Sequence, residues 1–157
     1  HYLEDCGEKT DVVVGDGRLA LAAEPDGAFG VIVIDAFSSD AIPVHMLTAE
    51  ALQMYLKKLQ PGGYMVMNIT NHYLDLAPVV GNLAADAGLV ARIMESNGWD
   101  PNRFRMPSTW AVLARTEEDL SILDGGAPWR ELKADPTTAT WTDDFSNIVQ
   151  ALRWRPF

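Results

Sequence analysis

Gly30-Val31-Ile32-Val33-Ile34-Asp35 is a continuous β-branched run closed by an acid. β-Branched side chains are stiff at χ1 and favour extended backbone. With no polar residue alternating among them, they suit a strand covered on both faces, as in parallel sheets. Reading outward towards the C-terminus, residues 36–47 form a polar and apolar loop containing Pro43, and Thr48 is an N-cap for a helix through Leu59. Ala51, Leu52, Tyr55, Leu56 and Leu59 share one face of that helix. Pro61-Gly62-Gly63 ends it, and Tyr64 to Ile69 reads as the next strand. Leu76 to Ala87 predicts a helix with Pro78 in its first turn, where proline is tolerated, and Leu89–Met94 and Thr109–Ala114 predict two further strands. Towards the N-terminus, Asp11-Val12-Val13-Val14-Gly15 reads as a buried strand, and Arg18 to Ala23 as a short helix closed by Pro25-Asp26-Gly27. Strands alternating with helices imply parallel pairing and a doubly wound α/β sheet. Residues 117–141 are less patterned, with a turn at Gly125-Gly126-Ala127-Pro128, and Phe145 to Leu152 reads as a short final helix. There is no internal repeat and no low-complexity segment.

The chain has 157 residues, 48% of them hydrophobic, enough for one core and not two. We therefore read residues 1–157 as one domain. A formal net charge of −10 argues against nucleic acid, which selects a basic stripe, and is compatible with a cationic ligand such as a polyamine. Acidity of this kind also serves solubility alone. Cys6 is the only cysteine, so there is no internal disulfide and no cysteine metal cluster, and a reducing, cytoplasmic compartment is expected. No run approaches the roughly 20 apolar residues that span a bilayer. The chain opens on His-Tyr-Leu-Glu-Asp, without an initiating Met or a signal peptide, and reads as a cut inside a larger protein.

Ligands of open α/β sheets collect at the carboxyl ends of the strands. Asp16 follows one strand between Gly15 and Gly17, Asp35 closes another, and Asp40 follows in the same loop. Two roles are open to Asp16, contact with a ligand and capping of the helix behind it. His45 and His72 lie in loops on the same side, as pocket residues or as solvated or capping ones. Asp143-Asp144 is either one end of a polyamine site or the N-cap of a helix starting at Phe145. No His/Asp/Glu spacing suggests a metal, and Ser38-Ser39 has no nucleophile elbow around it. The five tryptophans read as packing or interface residues.

Val13-Val-Gly-Asp-Gly-Arg18 followed by Val31-Ile-Val-Ile-Asp-Ala-Phe-Ser-Ser-Asp40 resembles the spermidine synthase family. Leu59-Gln-Pro-Gly-Gly63 before a strand is similar to that family and to class I methyltransferases generally. Asp35 through Pro43, Asn71-His-Tyr-Leu-Asp-Leu76 and Trp141-Thr-Asp-Asp-Phe-Ser146 resemble the bacterial spermidine-synthase-like domains fused behind transporter-like membrane segments. The resemblance implies a Rossmann-like, class I S-adenosylmethionine-dependent methyltransferase fold with sheet order 3-2-1-4-5-7-6. It implies aminopropyl transfer from decarboxylated S-adenosylmethionine to putrescine or a similar amine. Asp16 would then contact the adenine amino group, with Gly17 beside the ring, and Asp35 would orient and deprotonate the attacking amine. Asp40 would hold the cationic nitrogen, with His72 and Asp143 as further substrate contacts. The family's two acids stand three positions apart, whereas Asp35 and Asp40 are five apart.

The chemistry needs such acids. An amine of pKa about 10 is protonated at neutral pH and cannot attack until it gives up a proton. Acids near the site also repel the carboxylate of ordinary S-adenosylmethionine, which favours the decarboxylated donor. Two other readings stand beside this one, a methyltransferase using S-adenosylmethionine and a non-catalytic polyamine-binding or interaction domain. A complete domain of this class also carries a glycine-rich first loop and an acid for the ribose, and neither is present in the sequence. The chain is thus expected to be the C-terminal two-thirds of its domain, without the first two strands and inactive alone. Its strands at Val12 and Val31 are expected to pair directly, to pair edges with another copy, or to belong to a longer chain.

Overall fold

A computed structural model describes residues 10–36, 43–98 and 106–153. Its elements in chain order are α1 (Gly17–Ala23), β1 (Phe29–Ile34), a 3-10 turn (Val44–Met46), α2 (Ala49–Lys58), β2 (Leu59–Asn68), α3 (Ala77–Asp86), β3 (Val90–Ser96), β4 (Ser108–Ala114), a second 3-10 segment (Glu118–Leu123) and β5 (Arg130–Glu131). They form one sheet in the order β1-β2-β4-β3-β5. The first four reproduce the 4-5-7-6 portion of the order that the resemblance implies.

β1 and β2 are parallel, but β4 runs antiparallel to both of its neighbours, β2 and β3. The parallel pairing expected from alternating strands and helices thus holds for β1 and β2 and fails at β4. A parallel pair needs a crossover of a dozen or more residues, usually helical. Between β3 and β4 the sequence carries Pro101 and Pro107 and no helical period, so the chain turns back on itself.

Local chemistry explains the elements that frame the site. Thr48 caps α2 by accepting the Ala51 N–H at 3.2 Å. Phe29 pairs with Leu59 whereas Val31 already pairs with Tyr64, so Gln60–Gly63 bulge opposite Gly30. Gly62 has φ +76°, and a Cβ on Gly63 would stand 2.9 Å from the Gly30 carbonyl oxygen, which is why the Pro-Gly-Gly element admits no larger residue there. β2 therefore begins at Leu59, five residues before the start read from the sequence.

The main core lies on one face of the sheet. Ile32, Ile34, Met65, Met67 and Ile93 meet Leu52 and Tyr55 of α2 and Val79, Val80 and Leu83 of α3 there, with Trp141 fully buried among them and Leu21 of α1 at the margin. On the other face, Leu120 and Leu123 cover Val112 and Ala114. Val31 and Val33 on that face are 42% and 61% exposed. Among the described residues all three α-helices thus lie on one side, where a doubly wound sheet would have helices on both.

Two further expectations are corrected. Residues 11–15 form no strand, and Val12, Val13 and Val14 are 69%, 66% and 94% exposed. An apolar run becomes a strand only with a neighbour to accept its backbone bonds, and none of the described strands lies beside it. Residues 145–152 form turns rather than a helix, ending in an isolated bridge between Leu74 and Leu152. Phe145, Ile148, Val149 and Leu152 are exposed and only Ala151 of this stretch reaches the core, so no broad apolar face organises a helix there.

Candidate functional site

A cleft of about 350 Å³ runs along the outer edge of β1, lined by Gly17 and Leu21 of α1, Phe29 and Val31 to Ala36, and Met46 and Tyr55. That volume is at the low end of the roughly 300–1,000 Å³ typical of small-molecule sites. The cleft brings two of the candidate residues, Gly17 and Asp35, to one place, with Asp16 immediately before Gly17. A Cβ at Gly17 would meet only the Met46 Cε at 3.8 Å, so the backbone is approachable. His72 is exposed in the loop after β2 and does not line the cleft, nor does Asp143. Asp40 and Ser38-Ser39 lie outside the described residues.

Both roles open to Asp16 bear on its position. Its Oδ1 accepts the Leu19 N–H at 3.0 Å and caps α1. Its Oδ2 lies 3.2 Å from His45 Nε2. The Leu19 bond, with the attraction of His45 behind it, holds the Asp16 carboxyl below the usual range. A ligand amino group reaching Asp16 therefore meets a carboxylate already engaged on both oxygens, though each oxygen keeps a spare lone pair.

Asp143 is bound by Arg18, a residue to which sequence reasoning gave no role. Arg18 Nη1 and Nη2 donate to Asp143 Oδ1 and Oδ2, each at 2.7 Å, and Nη1 also donates to the His45 carbonyl at 2.6 Å. The Thr48 hydroxyl adds a bond to Asp143 Oδ1 at 2.7 Å, and the Asp143 N–H donates to Glu50 Oε2 at 2.9 Å. The Arg18 guanidinium, then the Thr48 hydroxyl, pull the Asp143 carboxyl down to about 2. No helix follows Asp143, so it is not a cap; it latches residues 141–145 to α1 and to the start of α2.

Asp35 differs from both. Its Oδ1 accepts from Asn68 Nδ2 at 2.8 Å, and among the described residues no cation pairs with it. It is exposed at the carboxyl end of β1. Asn68 was missed in the sequence, although parallel pairing of Ile34 with Met67 places it directly beside Asp35. Tyr55, at the cleft wall, is fully buried, donates to the Met46 carbonyl at 3.2 Å, and has its phenol pushed up to about 12 by burial. Among the described residues no cluster of three or more His, Cys, Asp or Glu could hold a metal ion, and no helix is long and apolar enough to cross a membrane.

Among solved structures, a probable spermidine synthase from Corynebacterium glutamicum ATCC 13032 matches 77% of this chain with a TM-score of 0.52 at 21% identity. Over the matched portion the two chains share a fold. The chain spans 47% of that protein's length. A stretch of 58 residues, 37% of this chain, is 41% identical to a probable polyamine aminopropyl transferase of Bifidobacterium longum (strain NCC 2705) and spans 13% of it. No family model matches the chain. Asp35 follows the carboxyl end of β1, where open α/β sheets bind ligands, and the cleft runs from there along β1 to Phe29.

Proposed function

We propose that this chain is the C-terminal part of a spermidine-synthase-like aminopropyltransferase domain, acting on decarboxylated S-adenosylmethionine and putrescine or a similar amine. One observation carries the reading. Asp16 is already engaged by the Leu19 N–H and by His45 Nε2, and Asp143 by Arg18, whereas Asp35 lines the cleft with a carboxylate that pairs with no described cation. A cationic amine is attracted to such a charge, and Asp35 accepts the proton that the amine must lose. The amine nitrogen forms its new bond to the methylene carbon beside the sulfonium, and the carbon–sulfur bond breaks with its electron pair left on sulfur as a neutral thioether. Gly17 and Asp16 would lie against the adenine, and Asp40, His72 and Asp143 remain assigned to the substrate end. For Asp143 this means reaching the amine through oxygens that Arg18 already holds.

The uncovered face at Val31 and Val33 and the outer edge of β1 fit the remainder of the domain, which we place in the chain preceding His1. Residues 1–157 alone are then expected to bind decarboxylated S-adenosylmethionine more weakly than micromolar by calorimetry.

The test uses the full-length parent with putrescine and each donor in turn. Aminopropyl transfer is expected, and Asp35→Asn should lower it by about 10²–10⁴-fold, the usual contribution of a positioned acid or base. Methyl transfer from S-adenosylmethionine would establish the methyltransferase reading instead. Polyamine binding without turnover would establish the binding-domain reading.

A further inference from the structure

Asp35 is held by a chain of hydrogen bonds that starts two strands away. The Thr109 N–H, from β4, donates to the Thr70 hydroxyl at 2.8 Å. With its oxygen so engaged, the Thr70 hydroxyl gives its proton to Asn68 Oδ1 at 2.5 Å, and the Thr70 N–H donates to the same oxygen at 3.1 Å. Asn68 Nδ2 then donates to Asp35 Oδ1 at 2.8 Å. The direction is fixed by chemistry. A backbone N–H can only donate, so the amide oxygen must face Thr70 and the NH2 must face Asp35. Turning the amide over would set N–H against N–H and a carbonyl against a carboxylate.

We propose that Asn68 is the positioning residue for Asp35, with its amide aimed by Thr70 and Thr109. This rests on the aminopropyltransferase reading of Asp35. A neutral amide grips one carboxylate oxygen without cancelling its charge, unlike the guanidinium that Arg18 brings to Asp143. Oδ2 of Asp35 has no partner among the described residues and is left for the incoming ammonium. Three strand ends therefore define one carboxylate orientation: β1 supplies the acid, β2 the amide and the threonine just beyond it, and β4 the backbone donor.

The first test is spectroscopic and independent of turnover. In residues 1–157 labelled with nitrogen-15, the two side-chain NH2 protons of Asn68 should be widely split, because one of them is bonded to a carboxylate. Asp35→Ala should collapse that splitting. Thr70→Val should shift the same signals, and Thr70→Ser, which keeps the hydroxyl, should restore them. Unchanged Asn68 signals in Asp35→Ala, or Thr70→Val indistinguishable from wild type, would overturn the proposal. The second test is kinetic, in the full-length parent. Asn68→Ala should lower kcat about 10²-fold with KM for the amine changed far less, the signature of a misaimed rather than an absent group. Equal kcat in Asn68→Ala and wild type would also overturn it. A parent with no aminopropyl transfer at all would refute the proposed function, and the spectroscopic arm alone would then decide the role of Asn68.

Discussion

Replacing Asp143 by Asn tests whether the latch at Arg18 is structural, and the geometry gives a magnitude for it. The side chains of Arg18 and Asp143 are 19% and 42% exposed, so water screens the pair and exposed ion pairs are worth about 0.2–1 kcal/mol. Two parallel bonds of 2.7 Å and a third from Thr48 place this one at the top of that range, at about 1 kcal/mol. Asparagine keeps the shape and one accepting oxygen but loses the charge. Urea unfolding should therefore show Asp143→Asn destabilised by about 1 kcal/mol, with a Tm lower by roughly 2–4 °C for a chain of this length.

The pH dependence sharpens the test. The folded carboxyl, at about 2, lies below its ordinary value of 3.8. Its contribution is therefore complete above 3.8 and is lost as the pH falls through 2. The stability gap between wild type and Asp143→Asn should stay constant from about pH 7 to 5 and shrink below that as protons neutralise the wild-type carboxylate. A double-mutant cycle with Arg18→Met should return a coupling of about 1 kcal/mol. If Asp143→Asn left stability untouched and the cycle with Arg18→Met returned no coupling, the latch argument would be refuted.

Two more perturbations follow from the same structure. Gly81→Ala in α3 should gain about 1 kcal/mol of helix propensity. Its Cβ, however, would stand 2.4 Å from the Lys133 carbonyl oxygen, in a segment that Asn82 pins by bonds of 2.9 and 2.7 Å to the Asp135 backbone. Overpacking of this kind costs about 1–3 kcal/mol, so urea unfolding should show a net loss, and a stabilised variant would mean that residues 133–135 yield freely. In a spectrophotometric alkaline titration, a step near 12 should belong to Tyr55, and Tyr55→Phe should remove it. Because its folded value is raised, the stability it lends is complete below about pH 10 and is lost as the pH rises through 12.

β1, α2 and α3 were legible because each carries its own signal: a β-branched run for β1, a threonine cap and apolar face for α2, a proline in the first turn for α3. The segments misread were those whose state depends on something not local. Val12-Val13-Val14 has the composition of a strand, but composition supplies no neighbour to accept its backbone bonds. Phe145, Ile148, Val149 and Leu152 fall at helical intervals, yet all four are exposed, and a short helix without a buried face is marginal in water. The antiparallel return of β4 was readable in principle, since the prolines between β3 and β4 leave no room for a crossover helix.

For the site, legibility turned on where each acid's partner comes from. The candidate acids look alike as sequence, and what separates them is the group opposite. Arg18 and Asp143 are 125 positions apart, joined by loops whose paths no local pattern encodes, so the cancellation of that acid's charge was invisible. Asp35 and Asn68 are 33 apart, and so are Ile34 and Met67 in the β1–β2 ladder. Once the two runs are paired in parallel, that register alone puts the amide beside the acid and on the same face. The amide's orientation needed one more fact, the Thr70 N–H, whose donor character is fixed by the backbone whatever the side chain. The uncancelled acid could thus have been inferred from strand register, whereas the cancelled one required the folded chain.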